Sequence, residues 1–238
     1  MRQDVDNRKE IKKFIEEFFS IAKYSAKVRN PLFVVQCLQR KKDGCEFDNK
    51  PVYQRTIDRV DKIDTILDKA VEVAEKYNAR VYINTSPKEM TKVALRCAQD
   101  MINVNLNNGT TKSLESIMYS SILKSGCSMF AYHIFDIDTN DENDLKIFMN
   151  WVDDNFNEDD YLLLPTISGY HFIVPANDYT TDVWLDTLNN DMKDLITRIY
   201  MTNNHLDEKP NKHIKTMLNN LIHKESGNTL VYYKHTLC

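Results

Sequence analysis

Residues 129–175 read MFAYHIFDIDTNDENDLKIFMNWVDDNFNEDDYLLLPTISGYHFIVP, and this stretch decides the fold. Met129–Asp138 is an apolar, aromatic-rich run that closes on two acids, the pattern of a strand. Residues 142–155 then place Leu145, Phe148, Met149 and Val152 at helical spacing, which predicts an amphipathic helix. Tyr161–Pro165 and Tyr170–Pro175 read as two more strands, and Thr166-Ile167-Ser168-Gly169 between them is short enough for a hairpin.

Working outward toward the N-terminus, Ile11, Phe14, Ile15, Phe18, Phe19, Ile21 and Ala22 predict an amphipathic helix over 6–24. A strand follows at Leu32–Leu38 and runs into the basic turn Gln39–Gly44. Ile63, Ile66, Leu67, Ala70, Val71, Val73 and Ala74 predict a helix over about 58–77, and Arg80–Asn84 a short strand. Ser86, Pro87 and Glu89 suit the N-cap, first and third positions of a helix reaching about 104. A turn at Asn107-Asn108-Gly109 and a helix over 112–124 complete this half. Beyond 175 the pattern predicts helices at about 180–201 and 208–222 and a closing strand at Thr229–Lys234. The expected fold class is α/β (α+β): a mixed β-sheet with packed helices, in two α/β subunits. They form a single globular domain, softly divided at the Asn107–Gly109 loop into 1–108, a helix plus a βαβ unit, and 109–238.

Composition narrows the functional classes. The chain has 238 residues, 42% hydrophobic and 28% charged, which supports a sizeable core and not wholesale disorder. A formal net charge of −4 excludes a globally basic nucleic-acid coat but not a local basic groove. With 5 Gly and 6 Pro, a Gly-rich repeat and a many-turned β-sandwich are disfavoured. There is no run of about 18 apolar residues, so no membrane partner is expected. The opening MRQDVDNRKEIKKF is charged and helical in character, unlike a signal peptide. Cys37, Cys45, Cys97, Cys127 and Cys238 are odd in number and include no CxxC pair. Free thiols in a reducing cytoplasm are expected, and a structural zinc is not. The Lys-, Asn- and Ile-rich bias is that of an AT-rich genome, pointing to a bacterial or phage-infected cell.

Two motifs carry chemistry. Asp136 and Asp138 are spaced i, i+2, so a strand would project both carboxylates from one face at its C-terminal end. Paired acids repel when ionised and favour a divalent cation; oxygen-only ligation suits Mg²⁺ or Mn²⁺. The same acidic run, through residue 144, also suits capping of the next helix. Ser168, Gly169 and His171 stand at the entrance to the last strand of the 129–175 stretch. There Gly permits close backbone approach, and a His can donate to a phosphate oxygen.

Together, FDID at 135–138, a helix at 142–155 and SGYH at 168–171 resemble the archaeo-eukaryotic primase, or primase-polymerase, superfamily. The resemblance covers about a fifth of the chain, and SGYH is one residue longer than the family's usual Ser-x-His. It implies a primase-polymerase-like catalytic core in which Asp136 and Asp138 ligate the metal. It also implies that His171 contacts the triphosphate of an incoming nucleoside triphosphate, with Ser168 and Gly169 beside it. The final strand carries no acid, and the segment before it offers Lys224 as a nucleotide contact and Glu225 as a further acid, with Asp186 as another candidate. Arg40, Lys41 and Lys42 are the best local basic cluster for tracking a single-stranded DNA template. The acidic net charge implies a weak template grip and hence a partner such as a helicase.

The expectation is therefore a metal-dependent nucleotidyltransferase of DNA replication. Two alternatives stand beside it: a catalytically inactive primase-like accessory that binds nucleotide or nucleic acid, as an anti-defence protein would, and a metal-dependent phosphoesterase. Lys41–Gly44 contains a Lys-Asp-Gly that suits an ordinary turn better than a ligase signature. Tyr82, Tyr232 and Tyr233 suit packing better than base stacking, and His205, His213 and His223 suit the surface.

Overall fold

The computed structural model describes residues 4–24, 30–106, 113–129, 132–139, 141–176, 185–203, 205–206, 214–217 and 227–234. The chain divides into two compact units, a first of Asp6–Phe130 with Asn228–Cys238 and a second of Met1–Val5 with Ala131–Gly227.

In chain order the elements are β1 (Val5–Asp6), α1 (Arg8–Tyr24), β2 (Pro31–Gln39), β3 (Lys50–Ile57), α2 (Ile63–Tyr77), β4 (Ala79–Asn84), β5 (Lys88–Glu89), α3 (Met90–Leu106) and α4 (Leu114–Ile122). They continue with β6 (Tyr132–Ile137), α5 (Glu142–Asn155), β7 (Leu162–Pro165), β8 (Tyr170–Pro175), α6 (Asn190–Asn203) and β9 (Asn228–Tyr233). The first sheet has the order β1-β9-β4-β2-β3, with β5 also paired to β2, and the second has the order β6-β8-β7.

The chain is mixed α/β, but in place of one mixed sheet the described residues form two sheets whose pairs β2·β3, β2·β4, β2·β5, β4·β9, β6·β8 and β7·β8 are antiparallel. The physical reason lies in the connections. β3 and β4 flank β2 and are both antiparallel to it, so they run parallel to each other with α2 as their crossover. β6 and β7 flank β8 in the same way, with α5 as the crossover. The β-α-β unit read at 129–175 is thus present, split by β8, whereas the strands of the unit read over 32–84 pair antiparallel and the parallel companion of β4 is β3.

In the first unit helices cover both faces of the sheet. Strand alternation sends Phe33, Val35 and Cys37 one way and Leu32 and Val34 the other. Phe33 is fully buried, and the rings of Phe14, Phe18 and Phe19 meet it edge-on at 6.0, 5.4 and 5.9 Å. Leu32 and Val34 form a separate cluster with Val93 of α3, Ile122 of α4 and Cys127. The second unit has its own core, in which Phe135, Ile137, Phe172 and Val174 from the sheet meet Phe148, Trp151 and Val152 of α5 and Met192, Leu195, Ile196 and Ile199 of α6.

Two local expectations change. β3, which the sequence reading leaves out, is an edge strand with a bulge opposite Cys37/Leu38 and Pro51 paired to Leu38. The helix expected from Pro87 begins instead at Met90, because Lys88–Glu89 pairs with Pro31–Leu32 and the Met90 N–H donates to the Asn30 carbonyl at 3.2 Å. Backbone pairing across the sheet overrides the local capping pattern there. The 112–124 helix is present as α4, capped by Ser113, whose Oγ accepts from the Ser116 N–H. The Asn107–Gly109 turn, most of the 208–222 helix, His213, His223, Cys238, Lys224 and Glu225 lie outside the described residues. Among the described residues no helix is long and apolar enough to cross a membrane.

Candidate active site

β6 supplies the first acid. Its alternation commits Phe135 and Ile137 to the second unit's core, which leaves Asp136 on the opposite face. Asp136 stands directly across from His171 of β8, and Leu164 of β7 flanks His171 on its other side. His171 Nε2 lies 3.4 Å from Asp136 Oδ1, and the two side chains are only 12% and 11% exposed.

Asp138 is placed differently from the strand expectation. β6 stops at Ile137, and the Thr139 N–H returns to the Ile137 carbonyl at 2.9 Å. Asp138 therefore sits at the apex of a tight turn, aimed by that turn and not by the pleat. Its Oδ1 accepts a hydrogen bond from Ser168 Oγ at 2.8 Å. The two acids are thus each engaged by a residue of the SGYH segment, Asp138 by Ser168 and Asp136 by His171.

Gly169 makes this approach feasible. A Cβ there would stand 1.9 Å from the Ile137 carbonyl oxygen and 2.8 Å from the Thr139 nitrogen, so any side chain would collide with main chain. The Thr166 N–H donates to the Gly169 carbonyl at 2.7 Å and closes the β7–β8 turn against the acidic turn. The buried Thr166 hydroxyl, at the start of that turn, has no hydrogen-bond partner among the described residues.

A second set of contacts braces the acidic turn. Asp141 caps α5 by accepting from the Asn143 and Asp144 N–H groups, as the acidic run suggests. Thr139 Oγ1 donates to Asp144 Oδ2 and accepts from the Asp141 N–H, both at 3.1 Å. Arg198 of α6 pairs with Asp144 Oδ1 at 2.8 Å while its side chain stays 56% exposed. Sequence reasoning missed Arg198, and no local pattern marks it, since it meets Asp144 only through the packing of α6 beside α5.

The structure brings Asp136, Asp138, Ser168, Gly169 and His171 together. Arg40, Lys41 and Lys42 belong to the first unit. Arg40 Nε pairs there with Asp48 at 2.9 Å, and Lys41 and Lys42 are exposed on the short 3₁₀ turn Lys41–Asp43. The side chain of Asp43 in that turn is buried and holds Arg80 through two 2.6 Å contacts, which makes the Lys-Asp-Gly segment an anchored turn. Asp186 is exposed at the start of the segment preceding α6. Asn84, at the end of β4, is a buried brace: it accepts from the Val34 N–H and donates to the Ser86 carbonyl.

The donor set suits a hard divalent cation in kind, with the Asp136 and Asp138 carboxylates and the Ser168 hydroxyl beside Asp138. Among the described residues no group of three or more His, Cys, Asp or Glu side chains is arranged to hold a metal ion, so further ligands would come from substrate phosphate or water. The chain matches no family model, and no curated protein and no solved structure matches it.

Proposed function

We propose that this protein is a primase-polymerase-like nucleotidyltransferase of DNA replication, adding nucleotides from NTP or dNTP to a primer or initiating nucleotide on a single-stranded DNA template. The observation that supports this reading is the convergence of FDID and SGYH, about 30 residues apart, into paired Asp138–Ser168 and Asp136–His171 contacts around Gly169. A general acidic loop has no need of such a close backbone fit.

In this reading Asp136 and Asp138 hold Mg²⁺ or Mn²⁺. The ion, when bound, supplies charge stabilisation at the α-phosphate and a lower pKa for the attacking 3′-hydroxyl. Ser168 orients the Asp138 carboxylate through its hydroxyl. His171 turns its ring N–H to a phosphate oxygen, and the backbone at Gly169 gives the triphosphate room. Arg198, braced on Asp144, is a further cation of the same unit. Arg40, Lys41 and Lys42 track template phosphates, and Lys224 is a further nucleotide contact. A partner such as a helicase would supplement the template grip of a chain with net charge −4.

The test is nucleotide incorporation with Mg²⁺ or Mn²⁺, with and without a primer, for wild type, Asp136→Ala/Asp138→Ala, Ser168→Ala and His171→Ala. Incorporation should vanish in the double variant, and the His171 variant should chiefly raise the nucleotide KM. Equal incorporation by the double variant, or none by folded wild type, overturns the catalytic reading. A second reading draws on the same contacts. Both carboxylates already have protein partners, which suits a primase-like nucleotide-binding accessory without turnover. Nucleotide binding without incorporation would select it.

A further inference from the structure

Lys88 and Ser128 lie in the first unit and take no part in the candidate active site. They form an isolated antiparallel bridge. The Met129 N–H donates to the Pro87 carbonyl at 2.9 Å, which makes Lys88 and Ser128 a directly opposed pair of the closely spaced, non-hydrogen-bonded kind. Side chains of such a pair lie near each other on one face. Lys88 Nζ is 2.7 Å from Ser128 Oγ and 3.4 Å from the Lys124 carbonyl oxygen.

Three features separate this pair from an ordinary lysine contact. Lys88 is only 6% exposed, and lysine is rarely buried without an acid beside it. Both acceptors just named are neutral, and the nearby acids serve other cations: Glu89 pairs with Lys92 at 2.9 Å and Asp100 with Arg96 at 3.1 Å. Ser128 is only partly buried, whereas Lys88 behind it is shut off from water.

We propose that Ser128 and Lys88 form a nucleophile–base dyad for hydrolysis of small acyl esters, a site independent of the nucleotidyltransferase reading. The neutral Lys88 amine takes the Ser128 Oγ proton as Oγ bonds to the acyl carbon. Collapse of the adduct breaks the ester bond, and the departing alkoxide takes that proton from Lys88 and leaves as the alcohol. Water then gives a proton to Lys88 and its oxygen to the acyl carbon. Ser128 Oγ departs and recovers the proton, leaving the free acid. Burial lowers the Lys88 ammonium below the ordinary lysine value and so favours the neutral amine, while the nearby Cys127 thiol acts weakly the other way. Lys92, Arg96, Lys124 and Asp100 are the other charged groups around Cys127 and its neighbours.

The test uses the full chain and an alkyl fluorophosphonate, which forms a P–O bond to an activated serine with loss of fluoride. Intact mass and peptide mapping should show one adduct, on Ser128, absent in Ser128→Ala. Lys88→Met and Lys88→Arg should slow labelling by about 100-fold or more, the scale of a lost general base. Each variant is checked for folding by circular dichroism. Where a Lys88 variant fails to fold, the pH profile of wild-type labelling decides: a rate that levels off below the ordinary lysine range supports the dyad, and a rate that climbs with hydroxide throughout overturns it. No adduct on folded wild type, an adduct elsewhere, or wild-type labelling by a folded Lys88→Met also overturns it.

Discussion

Replacing Gly169 with alanine tests the geometry of the candidate site more sharply than removing any acid, because it adds one methyl group and deletes no functional atom. The new Cβ would stand 1.9 Å from the Ile137 oxygen, where real contacts begin near 3.0 Å. The two turns must therefore separate by about 1 Å. Both atoms in the way, Ile137 O and Thr139 N, are main chain, so no side chain can rotate aside. A shift of that size stretches the 2.8 Å Ser168–Asp138 hydrogen bond toward rupture. It also slides His171 past Asp136, since both sit one or two residues from the collision. Overpacking of this kind costs about 1–3 kcal/mol of stability, and about 1 Å of misplacement costs roughly 100-fold in a reaction that needs alignment. Urea denaturation reads the first and nucleotide incorporation the second. Gly126→Ala is the control, since a Cβ there meets nothing within 4 Å. A Gly169→Ala protein matching wild type in stability to within about 0.5 kcal/mol, with full incorporation, would refute the close-approach argument.

Other expectations follow from features outside that contact. Asp43→Asn should cost about 3–5 kcal/mol in urea denaturation, because it strands a buried Arg80 guanidinium that stacks 5.0 Å over Tyr233. Asp141→Ala should cost about 1 kcal/mol, because two N–H groups of the first turn of α5 lose their acceptor; no change in the urea midpoint would remove the cap from the account. Lys88→Met should be at least as stable as wild type near neutral pH. The folded-state value of Lys88 lies below its unfolded one, so between the two the unfolded chain binds more protons and wild-type stability rises with pH. The variant's advantage should shrink in denaturation curves as pH climbs toward the ordinary lysine value, and an advantage that grows with pH contradicts the burial argument.

Much of this architecture was legible in the residues. The 142–155 periodicity matches α5 end to end, and FDID and SGYH meet because strand pairing puts Asp136 opposite His171. What escaped depends on partners distant in sequence. β3 is an edge strand with Pro51 at a bulge, so it lacks the unbroken alternation that marks a strand. The Ser86–Glu89 capping pattern is locally sound, yet Lys88 and Glu89 bond to β2 and delay the helix to Met90. The Arg40–Asp48 pairing beside the basic cluster becomes visible only once the turn folds back. Arg198 reaches the acidic turn only because α6 packs beside α5, which no window around residue 198 can reveal.

The placement of β9 has a consequence for how the chain is made. Its residues Thr229–Tyr233 are all buried, it pairs with β4, and its Leu230 and Val231 carbonyls accept from Asn7, the first of these across 223 residues. The first unit's sheet therefore stays incomplete on the ribosome until the whole of the second unit has been translated. Closing so distant a contact is slow, and until then β4 presents an unpaired edge of the sort that invites association with other chains. The second unit, contiguous from residue 131 to 227 apart from its short N-terminal piece, meets no such delay. During synthesis the later-encoded body has the means to fold ahead of the earlier one.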